Sequence, residues 1–430
     1  MNKKILNIAL PSIVSNITVP LLGLVDTAIV GHLGAAAYIG AIAVGGMLFN
    51  MVYWLFGFLR MGTGGMTAQA QGAKDERECF RILFRALGVA GGLAVLLIVL
   101  QRPILSVAFH FITATPEVQQ LSQIYFRILI WGAPAVLGLY AFMGWFLGRQ
   151  NAKFPMMIAI VQNIVNISAS LILVLGFGWK VEGVALGTLI AQYAGFLLAF
   201  LLWMRKYYSK GVFLFLSGLW KRNDLQRFFT VNRDIFFRTL CLIAVTTYFT
   251  SVGASQGDVI LAVNALLMQF FVIFSYIMDG FAYAGEAVGG MYYGAKDLAN
   301  FKVFTKVLFG WGLVLSVLFT LVYLFFGQVF LGVLTDDLEV LEVARTYFPY
   351  ALAIPLLGFG AFLYDGLFIG ATATRGMLVA VAGASVGFFV CKFTLFPIWG
   401  NHALWISFLL YLLLRGVIQW GYYGRIERKL

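Results

Sequence analysis

Residues 72–75 read Gly-Ala-Lys-Asp, and residues 294–297 read the same four, 222 positions later. The same offset, with no gap, carries Tyr125-Phe126 onto Tyr347-Phe348, Gly138 onto Gly360, Gly144 onto Gly366 and Gly148 onto Gly370. One matched glycine means little in a chain with 47 of them. An offset held constant over this distance marks a duplication, so the two halves are read as copies of one unit.

The medium in which those copies fold follows from composition. The chain has 430 residues, 61% hydrophobic and 11% charged, with a mean hydropathy of +0.91. Soluble domains carry about 25% charged residues, which leaves a polytopic membrane protein as the class. A span needs about 20 apolar residues. Twelve runs meet that length: 5–33, 38–70, 82–109, 118–147, 154–177, 183–204, 235–256, 258–291, 303–332, 340–369, 376–398 and 401–424. Prolines 11, 20, 134 and 355 fall inside them and permit bending. The N-terminal run is read as a full span and not a removable signal. Six spans in each copy give both copies the same insertion direction, as parallel repeats about an axis along the membrane normal. The fold class is therefore all-α and polytopic: twelve transmembrane helices in two six-helix lobes related by pseudo-two-fold symmetry. The first lobe is 1–204 and the second 234–430. Between them, 205–233 is a basic, aromatic stretch suited to a connector on an anionic leaflet.

Lys and Arg set the orientation. With the N-terminus inside, the cytoplasmic segments hold Lys3, Lys4, Lys74, Arg77, Arg81, Arg85, Arg149 and Lys153 from the first half. The connector and its flank add a run from Arg205 to Arg238, and the second half adds Lys296, Lys302, Lys306, Arg375, Arg425, Arg428 and Lys429. Outer segments hold only Arg102, Arg127, Lys180 and Arg345. Both termini are expected in the cytoplasm, and the +12 net charge reads as topology, with no nucleic-acid partner. Cys79, Cys241 and Cys391 are too scattered for a disulfide or metal framework. The three histidines have no metal spacing either. No GxxxxGK[ST] loop binds a nucleotide and no nucleophile–base pattern stands out, so neither a cofactor nor an enzyme activity is expected.

Charges inside the spans are costly, and their default reading is functional. In the stretch 20–33, PLLGLVDTAIVGHL, Asp26 is the single acid of an otherwise apolar or small run. Asp279 and Glu286, two helical turns apart, and Asp365 are the acids within the second half's spans. Against them stand Arg60, Lys392 and Arg415. The offset maps Asp26 onto Tyr248, Asp279 onto Gly57, Glu286 onto Gly64 and Asp365 onto Met143. Each acid was thus placed in one half only, unlike an inherited scaffold feature. Ion pairing with Lys392 or Arg415 stays open for the second-half acids. Asp26 has uncharged company instead. Asn163, Asn166 and Ser170 share one face of span five, and Thr188 and Gln192 one face of span six. Inter-helix hydrogen bonding is the plainer reading of each alone.

Taken together, the twelve spans and the stretches 20–34 (PLLGLVDTAIVGHLG), 58–73 (FLRMGTGGMTAQAQGA), 232–242 (NRDIFFRTLCL), 279–297 (DGFAYAGEAVGGMYYGAKD) and 365–375 (DGLFIGATATR) resemble the multidrug and toxic compound extrusion (MATE) family, most closely its DinF-like branch. The resemblance covers essentially the whole chain. It implies a monomeric antiporter of the cell (inner or plasma) membrane, exporting small organic, often cationic or amphipathic, compounds by alternating access. It also implies Asp26 as the coupling carboxylate, with Asn166, Ser170 and Thr188 as partner-site positions; Pro20, as a proline inside span one, is read as the hinge. Ser170 stands where some members place a second acid. That loss favours H⁺ over Na⁺ in the first lobe, while Na⁺ stays open at Asp365 or Glu286. A lipid-linked precursor flippase of the same wider superfamily is the alternative, disfavoured by the few basic residues within the spans.

Overall fold

The computed structural model describes residues 1–31, 36–112, 115–208 and 218–430. These are almost wholly helical, and twelve helices are long and apolar enough to cross a membrane. In chain order they are α1 (Asn2–Gly31), α2 (Ala37–Gly72), α3 (Glu76–Val99), α4 (Pro116–Gly148), α5 (Lys153–Gly176) and α6 (Val181–Tyr207). The second half supplies α7 (Arg222–Ala254), α8 (Asp258–Gly294), α9 (Leu298–Leu334), α10 (Leu338–Gly370), α11 (Thr374–Trp399) and α12 (Asn401–Glu427). At about 1.5 Å per residue, the 37-residue α8 and α9 run about 55 Å, well past the ~30 Å hydrocarbon core. Large apolar side chains such as Leu175, Phe325 and Trp420 are exposed on the helices, as lipid-facing positions require.

Two boundaries differ from the sequence reading. The run 82–109 breaks at Leu100, and Gln101–Phe111 forms a separate short helix. Helix α7 begins at Arg222, inside the stretch read as connector. The end of that connector is also fastened down rather than loose. Arg85, buried on α3, donates to the Leu219 carbonyl (2.8 Å) and to carboxylates of Glu78 (2.7 Å) and Asp224 (3.0 Å). The middle of the connector, 209–217, and His32 lie outside the described residues.

The chain divides into two compact units, Pro11–Phe228 and Met1–Leu10 with Phe229–Leu430. The first ten residues thus belong with the second half. Lys4 Nζ donates to Tyr292 Oη (2.9 Å), and Trp311 Nε1 to Asn2 Oδ1 (3.1 Å). Polar ends of an otherwise apolar segment find their partners there.

The duplication is visible atom by atom within each unit. Lys74 and Lys296 both adopt left-handed backbone, with φ of 58° and 55°. Each ends a helix, and the aspartate that follows caps the next one. Asp75 accepts from the Glu78 amide at 2.9 Å, and Asp297 from the Asn300 amide at 3.0 Å. The Asn300 side-chain amide, with the Asn300 backbone amide, holds the Asp297 carboxyl below the usual carboxylate range. The next such pair is Gln150 and Thr372, with φ of 59° and 49°. Glycines at helix crossings repeat in the same way. A Cβ on Gly144 would collide with the Arg60 carbonyl, and one on Gly366 with the Ala282 carbonyl. At Gly148 and Gly370 the added atom would lie 2.6 Å from the Gly64 and Glu286 carbonyls respectively. Helices α2 and α4 therefore cross backbone to backbone, as do α8 and α10, because no side chain intervenes.

Candidate functional site

In the first unit, Asp26 on α1 meets residues of α5 and α6. Thr188 Oγ1 donates to Asp26 Oδ2 (3.2 Å) and accepts from Asn166 Nδ2 (2.8 Å). Asn166 and Ser170 are fully buried, and Asp26 is 5% exposed. The small residue beside Thr188 makes this arrangement possible. Gly187 lies so close to Ser170 that any side chain there would strike its hydroxyl. One turn pair further on, a Cβ at Gly195 would sit 2.5 Å from Gln162. Helices α5 and α6 can thus approach until the threonine hydroxyl bridges amide and carboxyl. Asn163, from the same predicted face, donates instead to the Ala159 carbonyl of its own helix (2.9 Å). Gln192 packs against Gly132, beside the 3-10 turn Ile130–Gly132 of α4. Helix α1 continues through Pro20 to Gly31.

The bonds around Asp26 leave part of it uncommitted. Asp26 Oδ1, Asn166 Oδ1 and Ser170 Oγ are buried without a hydrogen-bond partner. A buried acceptor left in this condition costs free energy, so it is poised to take a proton or another donor.

The second unit treats its acid differently. Asp365 on α10 is 5% exposed and saturated. Its Oδ2 accepts from Arg238 Nη2 of α7 and from Arg415 Nη2 of α12 (2.8 Å). Its Oδ1 accepts from Gln419 Nε2 (2.5 Å), one turn beyond Arg415. The Arg415 guanidinium lies over the rings of Tyr411 (5.5 Å) and Phe362 (5.9 Å). Asp279 on α8 adds its charge to the field at Arg415. A cation approaching Asp365 would face two guanidiniums. The Arg415 pairing is one that the sequence left open, whereas Lys392 turns to Tyr248 instead. Arg238 was not foreseen and corrects the charge count. Counted with the cytoplasmic loops, it is buried and 7% exposed. The signal lay in its own neighbours, since the apolar run resumes at Ile235, before Arg238. Glu286 is fully buried inside a π-helical turn, Gly285–Gly289. Such turns concentrate at functional positions. At the equivalent offset in the first unit, Thr63–Thr67 is ordinary α-helix.

Comparison with known proteins agrees with this architecture. The MatE family model matches residues 11–172 and 235–394, one match in each half. The chain is 38% identical over 417 residues to DNA damage-inducible protein F of Escherichia coli, covering 97% of this chain and 90% of that protein. It is 27% identical to the chloroplastic Protein DETOXIFICATION 44 of Arabidopsis thaliana, over 96% of this chain and 80% of that one. Among solved structures, the bent form of the Vibrio cholerae MATE transporter VcmN superposes with a TM-score of 0.88 at 17% identity, covering 99% and 97% of the two chains. Matched in both halves by the family model and along nearly its whole length by the DinF protein, the chain belongs to the MatE family of membrane transporters, on its DinF-like branch.

Proposed function

We propose that this multi-pass transporter is an H⁺-coupled antiporter in which Asp26 carries the proton. It exports organic, often cationic or amphipathic, compounds by alternating access. The observation that carries this reading is the difference between Asp26 and Asp365. Asp365 is held by two guanidiniums and an amide, whereas Asp26 has one oxygen on Thr188 and the other uncommitted. Only the second can gain and lose a proton without stranding a buried cation.

The cycle follows from the cost of charge in a low-dielectric site. Ionised Asp26 draws donors through the Asn166–Thr188 chain and attracts a cationic cargo. Protonation removes that attraction and the desolvation cost together, and α1 then bends at Pro20, where the proline removes a helix hydrogen bond. Cargo is released outward, and the proton leaves inward. One carboxylate among uncharged oxygens, with Ser170 supplying only a hydroxyl, gives Na⁺ a single formal charge. Support for a proton is correspondingly stronger. The protein works as a monomer in the cell membrane with both termini in the cytoplasm. Flippase action on an anionic, multiply charged lipid-linked precursor would need several basic groups free to bind it, and two of those within the spans, Arg238 and Arg415, are engaged with Asp365.

The test is transport in proteoliposomes with a pH gradient and a Na⁺ gradient imposed separately. The pH gradient alone should drive accumulation of a cationic dye, and the Na⁺ gradient alone should give little. Strong Na⁺-driven transport at equal pH would overturn the proton assignment.

A further inference from the structure

The duplication says what occupies the place of the Asp26 cluster in the second unit. The 222 offset carries Asp26 to Tyr248 on α7 and Ser170 to Lys392 on α11. These two are bonded: Lys392 Nζ donates to Tyr248 Oη at 3.0 Å. Where one unit holds a carboxylate among hydroxyls and amides, the other holds an ammonium on a phenol.

The surroundings of that ammonium are aromatic. Nζ lies 4.5 Å from the centre of the Phe393 ring, 4.6 Å from Phe396 and 5.3 Å from Tyr248. Phe389 packs against Tyr248 with centroids 5.1 Å apart. Lys392 enters no ion pair among the described residues, although Arg238 and Arg415 both find Asp365. The ring faces offer the ammonium cation–π contacts in place of a carboxylate. An ammonium has three N–H donors, and one goes to Tyr248. The two others remain for a ligand, and so does the phenol proton, since Tyr248 uses its oxygen as acceptor. Lys392 and Tyr248 are each half-buried, and Phe393 is exposed, so the group is not sealed in a core.

We propose that Lys392 and Tyr248, with the rings of Phe389, Phe393 and Phe396, form a subsite for the carboxylate of an amphipathic aromatic anion. The carboxylate takes the free N–H donors of Lys392 and the phenol proton. The flat apolar body of the ligand stacks on the phenylalanines. The transporter then has a second cargo class beside cations, and which class a cargo belongs to is read by different units. This inference rests on the export reading above for its meaning, and its test is separable from it.

The test is equilibrium dialysis of the full chain in lipid nanodiscs against three probes with one ring system: 2-naphthylacetate, its methyl ester, and (2-naphthylmethyl)trimethylammonium. Empty nanodiscs correct for partitioning. Wild type should bind the carboxylate at least about tenfold more tightly than the ester, as a charge-assisted hydrogen bond requires. Lys392→Met should remove that preference and leave the ammonium probe unweakened. Lys392→Arg should restore binding of the carboxylate, and Tyr248→Phe should weaken it a few-fold. Equal binding of carboxylate and ester by wild type would overturn the proposal with no variant needed. So would a carboxylate preference that survives in Lys392→Met. Failure of ΔpH-driven export of the ammonium probe, with carboxylate binding intact, would instead count against the export reading.

Discussion

Asparagine at position 365 would keep the shape of the aspartate and remove the charge that two guanidiniums share. Both cations would stay buried, since Arg238 and Arg415 are 7% and 4% exposed. Breaking one partner from a buried ionic group costs about 3–5 kcal/mol. Asp365→Asn should therefore lower the thermal unfolding midpoint of the purified protein sharply, read by scanning fluorimetry. An unchanged midpoint would mean that the ion cluster carries no stability. Asp26 should behave in the opposite way, because its loss strands no cation. At this scale the sequence was readable where spacing decides contact. Asn166 and Ser170 share a face by helical periodicity, whereas the meeting of Asn166 and Thr188 with Asp26 was implied by the family resemblance and is seen in the bonds of Thr188. Arg238 was not readable by charge counting, which assigns arginines near a basic connector to the loop. The apolar run that resumes at Ile235 carried the signal, and the bond to Asp365, 127 positions away, gives the partner that the count could not.

The elements owe their placement to glycines at fixed offsets. Helices α8 and α10 touch backbone to backbone at Gly366, as α2 and α4 do at Gly144. Gly366→Ala must push one helix away from the other, and overpacking of this kind costs about 1–3 kcal/mol. The same loss is expected for Gly144→Ala, and the two losses should add in the double variant because they fall in separate units. Unfolding midpoints of the three variants check this, and a double variant no worse than either single one would contradict it. The repeated GAKD was legible as a duplication, and the structure gives its local chemistry: a residue in left-handed backbone ends one helix and an aspartate caps the next. The π-turn around Glu286 was not legible. Its five residues are apolar or small apart from the glutamate, and nothing in their pattern distinguishes them from the α-helix at Thr63–Thr67.

For the whole molecule, twelve spans and a duplication were evident from hydropathy and one offset, and the structure contains both. The assignment of the first ten residues to the second unit was not evident, because it depends on side-chain contacts of Asn2 and Lys4 far along the chain. Orientation rests on the distribution of Lys and Arg. A cysteine placed at Asp336 in a background without Cys79, Cys241 and Cys391 should react with an impermeant maleimide added outside the cell. A cysteine at Asp297 should react only after the membrane is opened. The reverse pattern would invert the topology and with it the direction of export. The most direct measurement of the account is made on Asp26→Asn, reconstituted in proteoliposomes with an imposed pH gradient. The account predicts a folded protein that has lost ΔpH-driven accumulation of a cationic dye. Accumulation at the wild-type rate would contradict it.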